Sequence, residues 1–570
     1  MRIIIEGYPY KEQEIRTIVP ERLLDFPNKN GEIKPPFVGY CYNPAINDCI
    51  FFLPKVVLTK DELDEKDITD KGLVFDRYKP EELLNFDHSK LDKPDKAFLQ
   101  KFSIWIYRAL KIFYANHNTS VVSRQTLSDV DSTARIKDGS LIDNYLSLIK
   151  FAKENRDFVM FEIKNIHSGY NRVNWRKTIS HQLPIKQKKA PIYLNPINKK
   201  KQIDFDEELF VIYFSILEYI HRQYGFDVDI NCNFETIKGS QFNHYLNGFG
   251  KTRLRQIKYK YFSDKALKLW TLCYTFFDNS DKLHSSKSVE DFIVAKNFET
   301  VFETMIDTLL GDEVPSGFKD QKDGKIIDHI YPYASLVNPD ENIYHIADSK
   351  YYKVGSSIGR ESIYKQFTYA KNVIQLTLDI LFGRGTKEEK IKKGYLPYRD
   401  SLTEGYKITP NFFISAKIKK EENEEKYSYS NDNLEPQLKN GEQVWHRMMQ
   451  FENRIFDRDT LILTHYNINF LYLIALYGKD NQYEQESFRQ KARRMFRSYV
   501  IKLINQIYEF YLIDPSPKTI EEFVNNNFKE LVGKLFHFDG KLILGLEREN
   551  QESLLLINKF SNNLKSYKLT

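Results

Sequence analysis

Asp348 and Lys350 stand two positions apart in ENIYHIADSKYYK, and a further acid, Asp328, closes the upstream run GKIID. Side chains alternate along an extended chain. A strand read from Ile343 to Tyr352 therefore puts Ile346, Asp348, Lys350 and Tyr352 on one face, and Ile343 and Ala347 on the other. A carboxylate and an ammonium on an apolar strand covered on both sides are costly to bury unless they pair or bind a metal. The intervening YPYASLVNPDEN is rich in turn formers, so the two strands can fold back as a hairpin and bring Asp328 to Asp348. Two carboxylates at one point repel each other, and a hard divalent cation such as Mg²⁺ relieves that repulsion with oxygen ligands. Lys350 beside the cation would orient an attacking water and counter the charge of a phosphate.

Two helices must frame these strands. NFETVFETMIDTLLG reads as a helix ending near Gly311, with Phe298, Phe302, Met305 and Leu309 on its apolar side. Glu299 and Glu303 share a neighbouring face. Downstream, ESIYKQFTYAKNVI turns Ile363, Phe367, Ala370 and Ile374 inwards, with Gln366 and Tyr369 on its flank. The bland alternative is a surface salt bridge between Asp348 and Lys350 on an edge strand. It leaves both flanking helices unexplained.

The elements FETVFE, IIDHI, ADSKYYK and YKQFTYA resemble, in that order, the nuclease subunits of McrBC-like restriction systems, and more closely the LlaJI type of restriction endonuclease. FVGYCYN…CIFFLPKVVL and DTLILTHYNINFLYLIALY extend the similarity along the chain. One departure is Ile327, where the PD-(D/E)XK pattern has proline before its first acid. The resemblance implies a PD-(D/E)XK core cutting duplex DNA with Mg²⁺, for which Mn²⁺ would substitute. It also implies a McrB-like AAA+ GTPase partner and a role in antiviral defence. On this reading Asp328, Asp348 and the Ser349 carbonyl hold the metal, Lys350 positions the water, and Glu303 and Gln366 complete the site.

At 570 residues the chain is too long for one hydrophobic core. The expected organisation is α+β and multidomain: a β-rich module over 1–95, a helical basic region over 96–280, the restriction-endonuclease-like core over 290–480 and a helical segment over 481–570. In the first, Ile3–Ile5, Phe37–Tyr40, Ile50–Leu53 and Leu73–Phe75 read as strands. Amphipathic helices are expected over Ala97–Tyr114 and Glu207–Tyr224. The stretch 419–442 is so charged that it reads as a surface insertion. Four cysteines show no CxxC spacing, which predicts neither a zinc knuckle nor a disulfide framework. No signal peptide opens the sequence, and the longest apolar stretch, Phe470–Tyr477, is too short to cross a bilayer. These point to a soluble, cytoplasmic protein.

Net charge is only +6, so any polyanion surface must be local. Arg172, Arg176 and Lys177 lie in a basic stretch with Trp175 and Tyr193, and Lys251, Arg253 and Arg255 lie in NGFGKTRLR; both are candidate DNA contacts. The second ends like a phosphate-binding loop, but Tyr245 stands where that loop needs its first glycine. The chain itself is therefore not expected to bind nucleotide. His329 and His345 alternate away from Asp328 and Asp348 and read as packing or surface histidines. HYNIN (465–469) is a candidate for a family-specific role, or simply a helix start capped by Asn469. Two rival functions keep parts of this reading: an inactive nuclease-like platform that regulates the GTPase, and a repair or recombination nuclease working alone.

Overall fold

The computed structural model describes residues 1–59, 72–75, 77–84, 93–117, 120–125, 140–159, 173, 175–188, 190–197, 207–231, 234–285, 291–352, 358–418, 427–430 and 432–570. Residues 60–71 and Arg172 lie outside them. The chain is mixed α+β with several sheets. It divides into two compact units, one of residues 1, 41–49 and 124–292, the other of residues 2–40, 50–123 and 293–570.

The N-terminal strands β1 (Arg2–Ile5), β2 (Val38–Asn43) and β3 (Asp48–Leu53) join β4 (Val122–Gln125) and β5 (Asp291–Ala295) in one sheet, in the order β1-β3-β2-β5-β4. Ile3, Ile4, Ile5, Phe51, Phe52 and Leu53 are all buried, as continuous apolar runs are in strands covered on both faces. Helix α1 (Lys93–Asn116) buries Leu99, Phe102, Ile106, Leu110 and Phe113 at helical spacing.

The unit spanning 124–292 is largely helical. Its α2 (Leu141–Glu154) starts at a capping box, the Ser140 hydroxyl accepting from the Asp143 N–H. α3 (Glu207–Tyr224) and α4 (Asp264–Ser285) are the longest of its described helices. Aromatic rings fill the interior: Tyr145 lies 5.2 Å from Tyr224 and 5.8 Å from Phe276. Much of the chain's aromatic content is thus core.

In the other unit, α5 (Phe298–Leu310) stops at Gly311, where a Cβ would come within 2.8 Å of the Asp307 carbonyl oxygen. β6 (His329–Ala334) and β7 (Asn342–Lys350) form an antiparallel hairpin, with His329 opposite Ala347. The chain then crosses over through α6 (Arg360–Phe382) to β8 (Asn411–Lys417), which runs parallel to β7. The short β9 (Glu435–Pro436) and β10 (Trp445–Met448) pair with one edge of β11 (Leu461–Asn469), and β11 runs parallel to β8. Ile346, Phe413 and Leu463 from three neighbouring strands join Phe367, Ala370 and Ile374 of α6 in one core.

The expected surface insertion is corrected in its described part. Tyr427 donates to the Phe75 carbonyl and stacks on Phe98, and β9 joins the sheet, because the tyrosines and proline between the charges pack although the run as a whole is polar.

Helices α7 (Phe470–Lys479) and α8 (Gln482–Ile507) follow. The basic run along α8 turns inwards: the Arg493 guanidinium donates to the Leu310 carbonyl at 2.6 Å, gripping the negative end of α5, the helix that carries Glu303. The helical expectation for the tail holds only to Ile507. Beyond it, β12 (Tyr508–Ile513), α9 (Ile520–Leu531), β13 (Leu535–Phe538), β14 (Lys541–Glu547), α10 (Gln551–Lys559) and β15 (Leu564–Tyr567) form a split βαβ unit, antiparallel throughout in the order β13-β14-β12-β15. Its strands are four to seven residues long, too short for their alternation to stand out against the helical segments beside them.

Candidate active site

The hairpin register decides the geometry. With His329 opposite Ala347, the residue before β6 lies across from Asp348, and Asp328 reaches over β7 so that its carboxylate accepts from the Ser349 N–H at 3.2 Å. Every residue from Ile343 to Ser349 is buried, as expected for a strand covered on both faces. Lys350 Nζ lies 2.6 Å from the Asp348 carboxylate, with both side chains largely buried. The salt bridge exists, but it is not a surface pair.

Burial, then the hydrogen bond and charge of Asp348, push Asp328 up to about 9. On α5, burial together with the charges of Glu299 and Asp348 raises Glu303 to about 7. Burial opposes the charge on Lys350, but the Asp348 carboxylate outweighs it and holds the ammonium above its usual range. Too much negative charge is thus gathered here for one lysine to neutralise, and the deficit is met by retained protons or by an added cation.

Glu303, Asp328, Asp348, Ser349 and Lys350 therefore meet in one place. Among the described residues Gln366 makes no hydrogen bond to these acids. It is fully buried on α6, its Nε2 donating to Asn411 Oδ1 at 2.7 Å, and Asn411 sits beside Ile346, two residues back from Asp348. On α6 the charged side chain that feels the acids is Lys365, held above its usual range by Tyr369 first and also by the charges of Asp348 and Asp328. The sequence signal was its place beside Gln366. Another neighbour has no local signal: the Tyr351 hydroxyl donates at 2.5 Å to Glu6, which also accepts from the Lys55 N–H. Among the described residues no three His, Cys, Asp or Glu side chains form a ready-made metal cage. What a cation would find is the Asp328–Asp348 pair and a backbone carbonyl, a donor set of hard oxygens.

The basic candidates belong to the other compact unit. Arg176 is exposed on a short helix, Trp175–His181, which also includes Lys177. Lys251 pairs with Asp278, Arg253 holds Glu208 with two nitrogens, and Arg255 donates to the Tyr274 hydroxyl. The charges of Lys251 and Arg253 are thus paired inside their own unit. Gly250, the tail of the apparent phosphate loop, has a packing reason: a Cβ there would lie 2.7 Å from the Phe277 ring. His329 and His345 are fully buried, against Asp307 and the Ala334 carbonyl. Asn469 caps α7, accepting from the Leu471 N–H at 3.1 Å. No helix among the described residues is long and apolar enough to cross a membrane.

Comparison with known proteins adds the family. The family model for the LlaJI restriction endonuclease matches residues 91–423. No curated protein matches the chain. Among solved structures, the chain is similar to one in the refined half-complex from a tetradecameric assembly of Thermococcus gammatolerans McrB AAA+ hexamers with bound McrC, at 10% identity, covering 86% of this chain and 99% of that one with a TM-score of 0.27. The family match spans more than half of the sequence, and the chain belongs to the LlaJI restriction endonuclease family.

Proposed function

We propose that this LlaJI-family restriction endonuclease hydrolyses phosphodiester bonds of duplex DNA in a Mg²⁺-dependent reaction at Asp328, Asp348 and Lys350, on a PD-(D/E)XK core. The observation that carries the proposal is the convergence on one buried strand: the Asp328 carboxylate accepts from the Ser349 N–H at 3.2 Å while Lys350 Nζ lies 2.6 Å from the Asp348 carboxylate, and burial beside Asp348 holds Asp328 above the usual carboxylate range. Such a pair is primed to exchange its proton for a divalent cation.

Asp328, Asp348 and the Ser349 carbonyl would hold the ion. When bound, it supplies Lewis-acid stabilisation of charge on the phosphate. The chain's own residues do the rest. Lys350, anchored on Asp348, presents an ammonium to the phosphate and to the attacking water. Glu303, raised to about 7, is poised to accept a proton near neutral pH. Gln366, locked to Asn411, fixes α6 against the strands that bear the acids, and so acts as a positioning residue. Lys365 adds positive charge on the same side.

The motif resemblance supports two wider proposals: a McrB-like AAA+ GTPase as partner, and a role in defence against foreign DNA in the cytoplasm. Arg176 and the neighbouring Lys177 remain proposed DNA contacts. Lys251, Arg253 and Arg255 would have to leave their present partners to serve as such. Cleavage of long duplex DNA with Mg²⁺, with and without the AAA+ protein and GTP, tests the proposal. Cutting that needs Mg²⁺ and disappears in Asp348→Ala supports it, and equal cutting by that variant refutes the site. If neither protein cuts but both stimulate GTP hydrolysis, the chain is a regulatory platform.

A further inference from the structure

The face that carries Asp348 and Lys350 continues across the sheet as a polar row. Lys350 pairs with Ser415 on β8, Ser415 with Asn467 on β11, and Asn467 with Glu435 on β9. One row further in, Asp348 pairs with Phe413, and Phe413 with His465. Residues paired across a ladder turn their side chains to the same face, and the ring contacts agree. Lys350 Nζ lies 5.2 Å above the Phe413 ring, Phe413 and His465 meet edge to face at 5.1 Å, and the His465 and His446 rings are also 5.1 Å apart.

This row has unmet hydrogen-bonding capacity. Asn467 is 7% exposed and His465 4%. Among the described residues no group hydrogen-bonds the Asn467 amide, and His465 Nε2 and Gln437 Oε1 are buried without partners. Buried polar groups are costly when unpaired, and several together on a catalytic face call for a ligand. The row also lies toward the carboxyl ends of the parallel strands β7, β8 and β11, the side on which open α/β sheets bind ligands. At about 4.8 Å per strand, Asn467 stands about 10 Å from Lys350.

We infer that Asn467, with Ser415 beside it and His465 behind it, hydrogen-bonds the sugar–phosphate backbone of the DNA strand being cut, next to the scissile phosphate. This rests on the reading of Asp348 and Lys350 as the hydrolytic site, since a row continuing from a bound phosphate meets the same backbone. The contact is neutral. Burial, and then His446, push His465 down to about 3, so Asn467, Ser415 and His465 release no counterion. Those three residues strengthen binding without steepening its salt dependence.

The test uses the full chain carrying Asp348→Asn, which prevents cutting, titrated with labelled duplexes of unrelated sequence in chelator. Adding Asn467→Ala is expected to weaken binding about tenfold, equally for every duplex and with the slope of log affinity against log salt unchanged. Asn467→Asp keeps the shape but places a charge against phosphate, and it weakens binding further. Ser415→Ala probes the same row if an Asn467 variant fails to fold. A loss confined to one sequence would mean base reading and overturn the backbone assignment. Unchanged affinity in all three variants, or a parent that binds no duplex, also overturns it. The reaction reading fails separately, if Asp348→Ala cuts as well as wild type.

Discussion

The Asp328 carboxylate sits 3.2 Å from the Ser349 amide nitrogen, so one acid is fastened to the backbone of the strand that carries the other. That bond holds Asp328 and Asp348 together without a metal, and the like-charge contact sets the behaviour of the site with pH.

The first prediction concerns stability. Asp328 is raised to about 9 by burial and by Asp348, against about 4 in an unfolded chain. A proton held more tightly in the folded state contributes stability that is complete below about pH 4 and is lost as pH rises through about 9. In chelator, the melting temperature should fall as pH is raised between these limits. Asp328→Asn should flatten that fall, and Mg²⁺ should restore stability at the alkaline end. An equal fall in Asp328→Asn would place its source elsewhere.

Lys350 should act on rate more than on binding. Replacing it by Met removes the ammonium that faces the phosphate, and kcat is expected to drop by about 10²–10³-fold. Lys350→Arg should not rescue it, because a planar fork does not reproduce a compact point charge held 2.6 Å from Asp348. Single-turnover cleavage of duplex DNA reads both variants. A changed KM with an unchanged kcat would assign Lys350 to substrate binding alone.

Tyr351→Phe should destabilise the chain by about 1–3 kcal/mol, because it takes the hydroxyl from a Glu6 carboxylate that is 9% exposed. Urea unfolding measures this. Adding Glu6→Gln should largely remove the extra cost, since the charge left short of a partner is then gone. Additive losses would show that the two side chains act independently.

Gly250→Ala separates packing from phosphate binding. The Phe277 ring lies 2.7 Å from the added Cβ, so the variant should lose about 1–3 kcal/mol of stability. Wild type should show no affinity for GTP by equilibrium dialysis. Measurable GTP binding that the variant abolishes would restore the phosphate-loop reading.

Local pattern and spacing made the centre of the site legible. The turn-rich link and the period of two around Asp348 gave the hairpin and the convergence of Asp328 with Asp348, and the helix over Glu207–Tyr224 was readable to its ends. What stayed hidden depends on contacts that no window of sequence contains. Glu6 reaches Tyr351 from 345 residues away. Lys251 and Arg253 look like free cations until α3 and α4 supply Asp278 and Glu208. The Asn411 partner of Gln366 comes from β8, 45 residues further along the chain. The split βαβ tail was masked by strands too short to stand out, and the tyrosines at 427–429 were masked by the charges around them.

The central claim is that a divalent cation held by Asp328 and Asp348 replaces the proton that the buried Asp328 retains. Calorimetric titration of Mg²⁺ into the chain tests it most directly, at about pH 8, above the range in which Glu303 titrates, in two buffers of different protonation enthalpy. Wild type is predicted to release about one proton per ion bound, Asp328→Asn to release none, and Asp348→Ala to bind far more weakly. Mg²⁺ binding without proton release, or binding unchanged in both variants, would contradict it.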